Sequence, residues 1–459
     1  MTLGIVILAA GKGTRMQSDI PKALHKLAGK FLLDHVVDLA ESLNPSKIVI
    51  VHGHESATLK RNIVRQGVLW AEQEHQLGTG HAVKQALQNL KEVDRVLILY
   101  CDVPLLKTKT LKKLISDKKN NLCIATATMR NPEGYGRIIR NSDGKISKII
   151  EQNDLSLHQQ KIKEINTGIM LVPSGQLAEC LEKINNNNIA GEYYLTDIVD
   201  IAVLANQNVS TFHIEDADEI MGINTKSQLA RAERIWQFRE AHKLMNCGMT
   251  IMDPNRFDLR GTIKHGANCI IDINVIIEGE VFIGNNVSIG ANTVLKNVKL
   301  GNDVKILENC VLEETIVGSD CAIGPFSRLR PGANLSEGAH IGNFVEIKES
   351  KIGKKTKVNH LTYLGNATIG EEVNIGAGTI TCNFDGASKH STTIGNNVFI
   401  GSNTALVAPL IVGDGATIGA GSTIGKDAPK EKLTLSRPDQ ITVENWDRPS
   451  KEREENKNK

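Results

Sequence analysis

The sequence predicts an α/β domain built on a mostly parallel sheet, followed by an all-β solenoid of flat-sided coils. Three observations carry that division. Up to about residue 100, short apolar runs alternate with helical patterns. From 269 to 425 a branched or long aliphatic recurs at every sixth position. Between the two regimes, residues 225–248 read as one continuous helix.

In chain order, residues 4–9 (GIVILA) read as a fully buried strand running straight into Ala10-Gly11-Lys12-Gly13-Thr14-Arg15-Met16. A helical pattern follows from about Pro21, with proline in its first turn. Lys47–His52 and Arg95–Tyr100 are further apolar strands, with helical stretches near 55–65 and 80–90. Strand and helix in alternation imply a parallel sheet covered on both faces, which binds ligands beyond the carboxyl ends of its strands. Gly11–Arg15 and Asp102 both sit at such ends, so they can face one crevice. In the 225–248 helix Leu229, Ala232, Trp236 and Leu244 fall near one side, and Gly248 is a stop signal. Its expected job is an arm joining two domains.

The solenoid ladder runs through Ile283-Gly284, Ile289-Gly290, Leu295, Leu300-Gly301, Ile306 and Leu312, and on to Ile418-Gly419 and Ile424-Gly425. A period of six is neither helical nor simple alternation. It fits a chain winding in flat sides, one inward aliphatic per side, with the glycine expected to relieve the bend. An evenly spaced sandwich is the competing account, but sandwiches seldom hold one spacing so long.

The totals agree with this division. A chain of 459 residues with 41% apolar content allows two or three domains with sizeable cores, and the 4% aromatic content suits an aliphatic solenoid. A net charge of +2 is not that of a nucleic-acid scaffold. No run of eighteen apolar residues or leader pattern suggests membrane insertion or export. Eight scattered cysteines without CxxC spacing point to a reducing, cytoplasmic setting and away from structural zinc.

Two constellations carry chemistry. The Gly11-x-Gly13 loop by itself also fits a plain strand-to-helix turn. Beside it, however, Arg15 and Lys22 supply cations and Asp102 a hard oxygen for Mg²⁺, while loop amides and a helix N-terminus suit an anion. That set matches phosphoryl or nucleotidyl transfer. In the solenoid, residues 381–393 interrupt the ladder and must bulge outward. Arg330 and Lys348 are 18 apart, one full circuit of three six-residue sides, so two cations stack as a phosphate clamp. His360, two sides further round from Lys348, is the side chain of a type suited to taking a proton from an amine; an exposed bystander is the plainer reading of a lone histidine.

The Leu8–Met16 segment with Pro21-Lys22, then Gln76–Ala82, Tyr100–Asp102, Gly134–Arg137, Glu164–Gly168, Gly191–Asp197 and Gly222–Asn224, resembles the signature of sugar-nucleotide pyrophosphorylases, whose nucleotidyltransferase domain is Rossmann-like. The solenoid resembles the left-handed parallel β-helices of hexapeptide-repeat proteins; that handedness comes from the family, since the general crossover rule would give the opposite. Together they resemble the family of bifunctional N-acetylglucosamine-1-phosphate uridyltransferases/glucosamine-1-phosphate N-acetyltransferases, from about residue 3 to about 440. The resemblance implies a uridyltransferase domain at 1–224, a linker helix at 225–248, a β-helix acetyltransferase domain at 249–440 and a disordered tail at 441–459.

It also implies roles. Leu8, Ala9, Ala10, Gly11, Gln73, Gly78, Thr79 and Tyr100 would hold the nucleotide of UTP, with Arg15 and Lys22 on its phosphates and Asp102 and Asn224 on Mg²⁺. Gly136, Glu151, Asn166, Tyr194 and Thr196 would surround the N-acetylglucosamine. In the second site His360 would be the general base, with Arg330, Lys348, Tyr363 and Asn374 on glucosamine 1-phosphate. Ala377, Asn383, Phe384, Ser402, Ala420 and Arg437 would contact acetyl-CoA; Phe384 departs from the family's usual tyrosine. Cys382 could be imagined as an acyl carrier, but the sequence places no base beside it. The site would form between copies of a homotrimer. A single-activity pyrophosphorylase with a regulatory or trimerising β-helix is the first alternative, and a non-catalytic sugar-nucleotide sensor the second.

Overall fold

The computed structural model describes residues 1–11, 13–53, 56–116 and 120–448, and two compact units emerge: Met1–Lys243 with Leu259–Gly261, and Leu244–Asp258 with Thr262 onward. Lys12 of the glycine-rich loop and residues 449–459 of the tail lie outside the described residues.

The first unit is built on nine strands: β1 (Leu3–Leu8), β2 (Lys47–His52), β3 (Val68–Glu72), β4 (Arg95–Tyr100), β5 (Leu122–Thr128), β6 (Arg137–Arg140), β7 (Ile146–Ile150), β8 (Glu164–Pro173) and β9 (Val209–His213). Seven of them form the order β9-β5-β8-β4-β1-β2-β3, with β6 pairing β8 and β7. Only β8 runs against its neighbours in that row. Along β1, Ile5 and Ile7 enter one core while Val6 and Leu8 enter another on the opposite face. Burial on both faces is why the strand reads as an unbroken apolar run.

The helix expected from Pro21 starts at Leu32. Before it come two three-residue 3₁₀ turns, Thr14–Met16 and Lys22–Leu24, and a hairpin whose turn holds Gly29 at φ 80°. Ala28 and Gly29, both left-handed in the hairpin turn, interrupt helix growth between Pro21 and Leu32. The glycine-rich loop is therefore followed by 3₁₀ turns and not by an α-helix, while the start of another helix, Thr79–Ala86 with its N-cap Gly78, lines the same cleft as Ala10 and Gly11.

The helix between the two patterns spans Lys226–Asn246. Ala232, with Leu229, Ile235 and Trp236, packs against Leu27, Leu32, Leu105 and Ile223. Buried Gln237 accepts from the Leu259 amide (2.7 Å) and donates to its carbonyl (3.0 Å). Most of the helix is therefore part of the first unit's core rather than a bare arm.

In the second unit each coil contributes one short strand to each of three sides, and all the strand pairings are parallel. The first side includes Arg328–Leu329, Glu346–Lys348, Tyr363–Gly365 and Ile380–Cys382; the second includes Lys351–Ile352, Ala367–Ile369 and Thr392–Ile394; the third includes His340–Asn343, Lys357–His360, Asn374–Ile375, Phe399–Ile400 and Thr417–Ile418. The sixth-position aliphatics from Ile283 to Ile424 are buried, as the ladder requires.

The glycines that follow them serve a different purpose from the one expected. Gly284, Gly301 and Gly401 are not among the positive-φ residues, but a Cβ on each would strike the backbone of the next coil at 2.4–2.6 Å. They permit close stacking, and the bend itself falls three residues after the aliphatic. There Asn286, Asn292, Asp303 and Asn309 take φ near 57–60°. Asparagine tolerates that conformation, and its side chain ladders from coil to coil, as in Asn274→Asn292→Asn309.

Candidate functional sites

A cleft of about 450 Å³ opens at the carboxyl ends of β1 and β4, lined by Leu8, Ala10, Gly11, Lys22, Gln73, Gly78, Thr79, Tyr100 and Asp102. At its floor the Lys22 ammonium donates to Asp102 Oδ2 and to Asn224 Oδ1, the latter at 2.6 Å. Arg15 Nη2 reaches the same Asn224 oxygen at 3.0 Å. The Ile223 amide donates to the Asp102 carbonyl at 2.8 Å, which fixes Asn224 beside the carboxylate. Two hard oxygens, one carboxylate and one amide, thus converge on one cation, and that donor set fits Mg²⁺. Among the described residues no group of three His, Cys, Asp or Glu side chains could hold a metal by itself.

The motifs of the first unit meet through backbone contacts. The Gly80 amide donates to the Tyr193 carbonyl and the Tyr193 amide to the Leu77 carbonyl, both at 2.8 Å. Gly78, at φ 113°, approaches so closely that a Cβ would lie 2.6 Å from the Tyr193 carbonyl. Thr79 Oγ1 accepts from the Leu195 amide, and buried Gln73 donates to the Gly78 carbonyl. Glu151 accepts from Thr196 Oγ1 (2.9 Å), a Cβ at Gly136 would meet Glu151 Oε2, and the Asn166 amide donates to the Gly136 carbonyl. The structure therefore gathers Gly136, Glu151, Asn166 and Thr196 into one subsite.

That subsite is acidic and largely dry. Burial pushes the Glu151 carboxyl above the usual range. Asp197, at the start of the next helix, is pushed up to about 6 by burial and then by Glu151, Asp200 and Asp154. The Tyr194 phenol rises to about 12, first by burial and then through Asp154, Glu151 and Glu192. Sequence reasoning quoted Gln76 within a motif but gave it no role; its side-chain amide donates to the Ala10 carbonyl and ties the two loops of the cleft. It also gave no role to Glu192 at the cleft wall. Gln76 lies three residues past Gln73 in a quoted motif, and that position was the available signal.

The second constellation follows the register of the coils. Arg328 pairs with Glu346 and Leu329 with Ile347, so Arg330 and Lys348 are stacked as the 18-residue spacing required. Lys348 in turn pairs with Gly365. Tyr363 folds over Gly365, where a Cβ would collide with its hydroxyl. Arg330 Nη1 donates to Glu346 Oε1 at 2.7 Å. The Lys389 ammonium holds Lys348 below the usual lysine range, with smaller contributions from burial and Arg330, and Lys389 also pairs with Glu349 at 3.5 Å. Glu346 and Lys389 were absent from the sequence reading. Glu346 lies two residues before Lys348 on the same strand face, whereas Lys389 reaches the clamp only through the folding of its loop.

His360 ends the third side, at the corner leading into the first. Two sides forward round a three-sided coil is one side back, so His360 borders the face of Arg330, Lys348 and Tyr363, with left-handed Leu361 turning the corner between them. Its column continues upward: Gly378 donates to the His360 carbonyl, Asn403 to that of Ala377 and Gly421 to that of Ser402. A Cβ at Gly419 would lie 3.5 Å from the Arg437 guanidinium and one at Gly421 3.8 Å from Arg437 Cδ, so that side chain runs past both neighbours of Ala420. His360, Ala377, Ser402, Ala420 and Arg437 thus form one corner ladder.

Two of the expected residues, Asn374 and Asn383, sit differently. Asn374 is on the third side, paired with Lys357 and Phe399, and not on the face of Arg330 and Tyr363. The buried Asn383 amide donates to Asn366 Oδ1 (2.7 Å), engaging it at the base of the loop. Phe384 is exposed at the loop tip. Cys382 is exposed as a free thiol, and none of the hydrogen bonds or ion pairs described joins its sulfur to a base.

A MobA-like NTP transferase domain model matches residues 5–158, a bacterial transferase hexapeptide (six repeats) model matches 391–426, and a GMPPB C-terminal domain model matches 259–337. The chain is 46% identical to the bifunctional protein GlmU of Alkalilimnicola ehrlichii over 97% of this chain and 96% of the relative. It is 48% identical to that of Chromobacterium violaceum and 50% identical to that of Acinetobacter baylyi, each over 98% of this chain and 99% of the relative.

Proposed function

Because the chain belongs to the family of the bifunctional protein GlmU, we propose which of its residues carry each of two chemistries. The activities are uridylyl transfer and acetyl transfer in the synthesis of UDP-N-acetylglucosamine, on a nucleotidyltransferase domain followed by a left-handed hexapeptide β-helix.

The meeting of Asp102 and Asn224 on one cation carries the nucleotide half. These two residues would hold Mg²⁺, which when bound supplies positive charge at the triphosphate of UTP. Arg15 and Lys22 neutralise phosphate oxygens while N-acetylglucosamine 1-phosphate displaces pyrophosphate from the α-phosphorus. Leu8–Gly11, Gln73, Gly78, Thr79 and Tyr100 hold the nucleoside. Glu151, Asn166, Tyr194 and Thr196 orient the sugar beside Gly136. The work is positioning and charge stabilisation.

In the acetyl half, Arg330 and Lys348 take the phosphate of glucosamine 1-phosphate at one edge of the first side. Tyr363 lies beneath the sugar, and the ammonium points toward the His360 corner. His360 accepts one proton as nitrogen attacks the thioester of acetyl-CoA. The C–N bond forms, the C–S bond breaks, and the departing sulfur takes the amine's second proton. The corner ladder from Ala377 to Arg437 and Phe384 on the loop offer the coenzyme an extended track.

A homotrimer fits two further observations. Asn374 lies on another side of its own chain, so it can serve the site only from a neighbouring copy. Beside the His360 column, the corner positions that elsewhere hold asparagine are Phe326, Phe344 and Leu361, all exposed and at φ 47–58°. Phe326 and Phe344 stack at 5.1 Å. Holding bulky residues left-handed costs on the order of 1 kcal/mol each, a cost that burial against another copy would offset.

The test is to assay the purified protein for pyrophosphate release from UTP with N-acetylglucosamine 1-phosphate, and for CoA thiol release from acetyl-CoA with glucosamine 1-phosphate. Both are expected, and a chelator should abolish only the first. Absence of CoA release would reduce the protein to a pyrophosphorylase.

A further inference from the structure

The loop that interrupts the ladder is an ordered hairpin. Strand pairing on either side of it spans 25 residues per coil, as in Ala367↔Thr392, against 17 in the coil before, as in Lys351↔Thr368. The extra residues fold on themselves. Phe384 and Lys389 form an antiparallel bridge, and the His390 amide donates to the Asn383 carbonyl at 2.8 Å. One side chain pins the tip. Asp385 accepts from the amides of Ala387 (2.8 Å) and Ser388 (2.7 Å), and its other oxygen meets His390 Nε2 at 2.7 Å. Those bonds hold its carboxyl far below the usual range.

What the hairpin delivers is a cation. The bridge sets Lys389 across from Phe384. The Lys389 ammonium lies 3.5 Å from Glu349 Oε2, the residue next to Lys348, at the edge where Arg330 and Lys348 stack, and its charge lowers the Lys348 pKa. An eight-residue protrusion without internal bonds would hold no fixed place for a flexible lysine. Like-charged ammonium groups do not gather unless something holds them or an anion is to lie between them. The carboxylate oxygens of Asp385 are engaged by the hairpin's own amides and by His390, so its effect on the reaction is indirect.

We propose that Asp385 is a positioning residue for acetyl transfer. By pinning the hairpin from Asn383 to His390, it holds Lys389 beside Lys348 as a third cation for the sugar phosphate and presents Phe384 on the same tip. This deepens the acetyl-transfer reading and rests on it. His390 reinforces the pin from the return strand.

The experiment compares the full-length protein with Asp385→Ala and Asp385→Asn by amide hydrogen exchange over 384–391 and by steady-state kinetics of both half-reactions. In Asp385→Ala the Ala387 and Ser388 amides should exchange at least about tenfold faster, and KM for glucosamine 1-phosphate should rise about tenfold with kcat changed less than about threefold. Asp385→Asn, which still accepts from the two amides, should recover most of that loss. Pyrophosphate release should be unchanged in both variants. An Asp385→Ala hairpin as protected as wild type would overturn the proposal, as would an opened hairpin with unaltered KM. A wild-type protein that releases no CoA would instead fail the acetyl-transfer reading, while the exchange comparison would still decide whether Asp385 pins the loop.

Discussion

The two sites are assembled by opposite means. In the nucleotide cleft, residues from distant loops meet because a twisted sheet brings its strand ends together: Arg15 touches Asn224 across 209 positions, and Lys22 touches Asp102 across 80. In the β-helix, neighbours come from equivalent positions of successive coils, so Arg330 stacks with Lys348 and His360 aligns with Ala377. The cleft gathers its candidates from one chain. The β-helix spreads its candidates over a face, a corner and a second side, which is why we propose that another copy contributes.

The difference can be pressed by substitution. The largest effect should come from Asp102→Ala, which leaves Lys22 and Asn224 without their carboxylate: pyrophosphate release should fall about a thousandfold or more while CoA release is unchanged. Next is the double variant Phe326→Asn and Phe344→Asn, which returns two corners to the common residue. Sedimentation should show dissociation, and acetyl transfer should fall on the order of tenfold to a hundredfold with uridylyl transfer kept. A variant that stays associated would remove the support those corners give to the trimer.

Smaller effects concern stability. Gly342→Ala drives a methyl into the backbone of Asn359 on the next coil. It should destabilise the second unit by about 3 kcal/mol, seen as a lowered calorimetric transition for that unit alone. The smallest is Asp197→Asn. Because the native Asp197 pKa is raised to about 6, the native state loses stability as pH rises from about 4 to 6 and carries the full penalty above that. Asparagine should therefore stabilise the protein at pH 8 by on the order of 1 kcal/mol, discounted for partial exposure, and the gain should vanish by about pH 4. A constant gain at all pH values would assign it to packing instead.

The β-helix was legible because a fixed period is itself a geometry: six residues per side and 18 per circuit foretold the stacked clamp before any coordinate. The same period misassigned the glycines, since a small residue at a corner looks alike whether it relieves a bend or admits a neighbouring coil. The first unit's strands were legible from apolar runs, but the start of its first helix was not, because two left-handed residues in a hairpin break a pattern that composition alone leaves helical. Site residues in the cleft were found through motifs. Gln76 stood at the head of a quoted motif without being given a role, and Lys389, delivered by a fold within its loop, had no signal strong enough in the chain.

Independence of the two sites is the central claim, and His360→Ala assayed for both half-reactions tests it most directly. CoA release should fall by at least about a hundredfold while pyrophosphate release stays within about twofold of wild type. Loss of both activities in a folded protein of unchanged oligomeric state, or retention of CoA release, would contradict it.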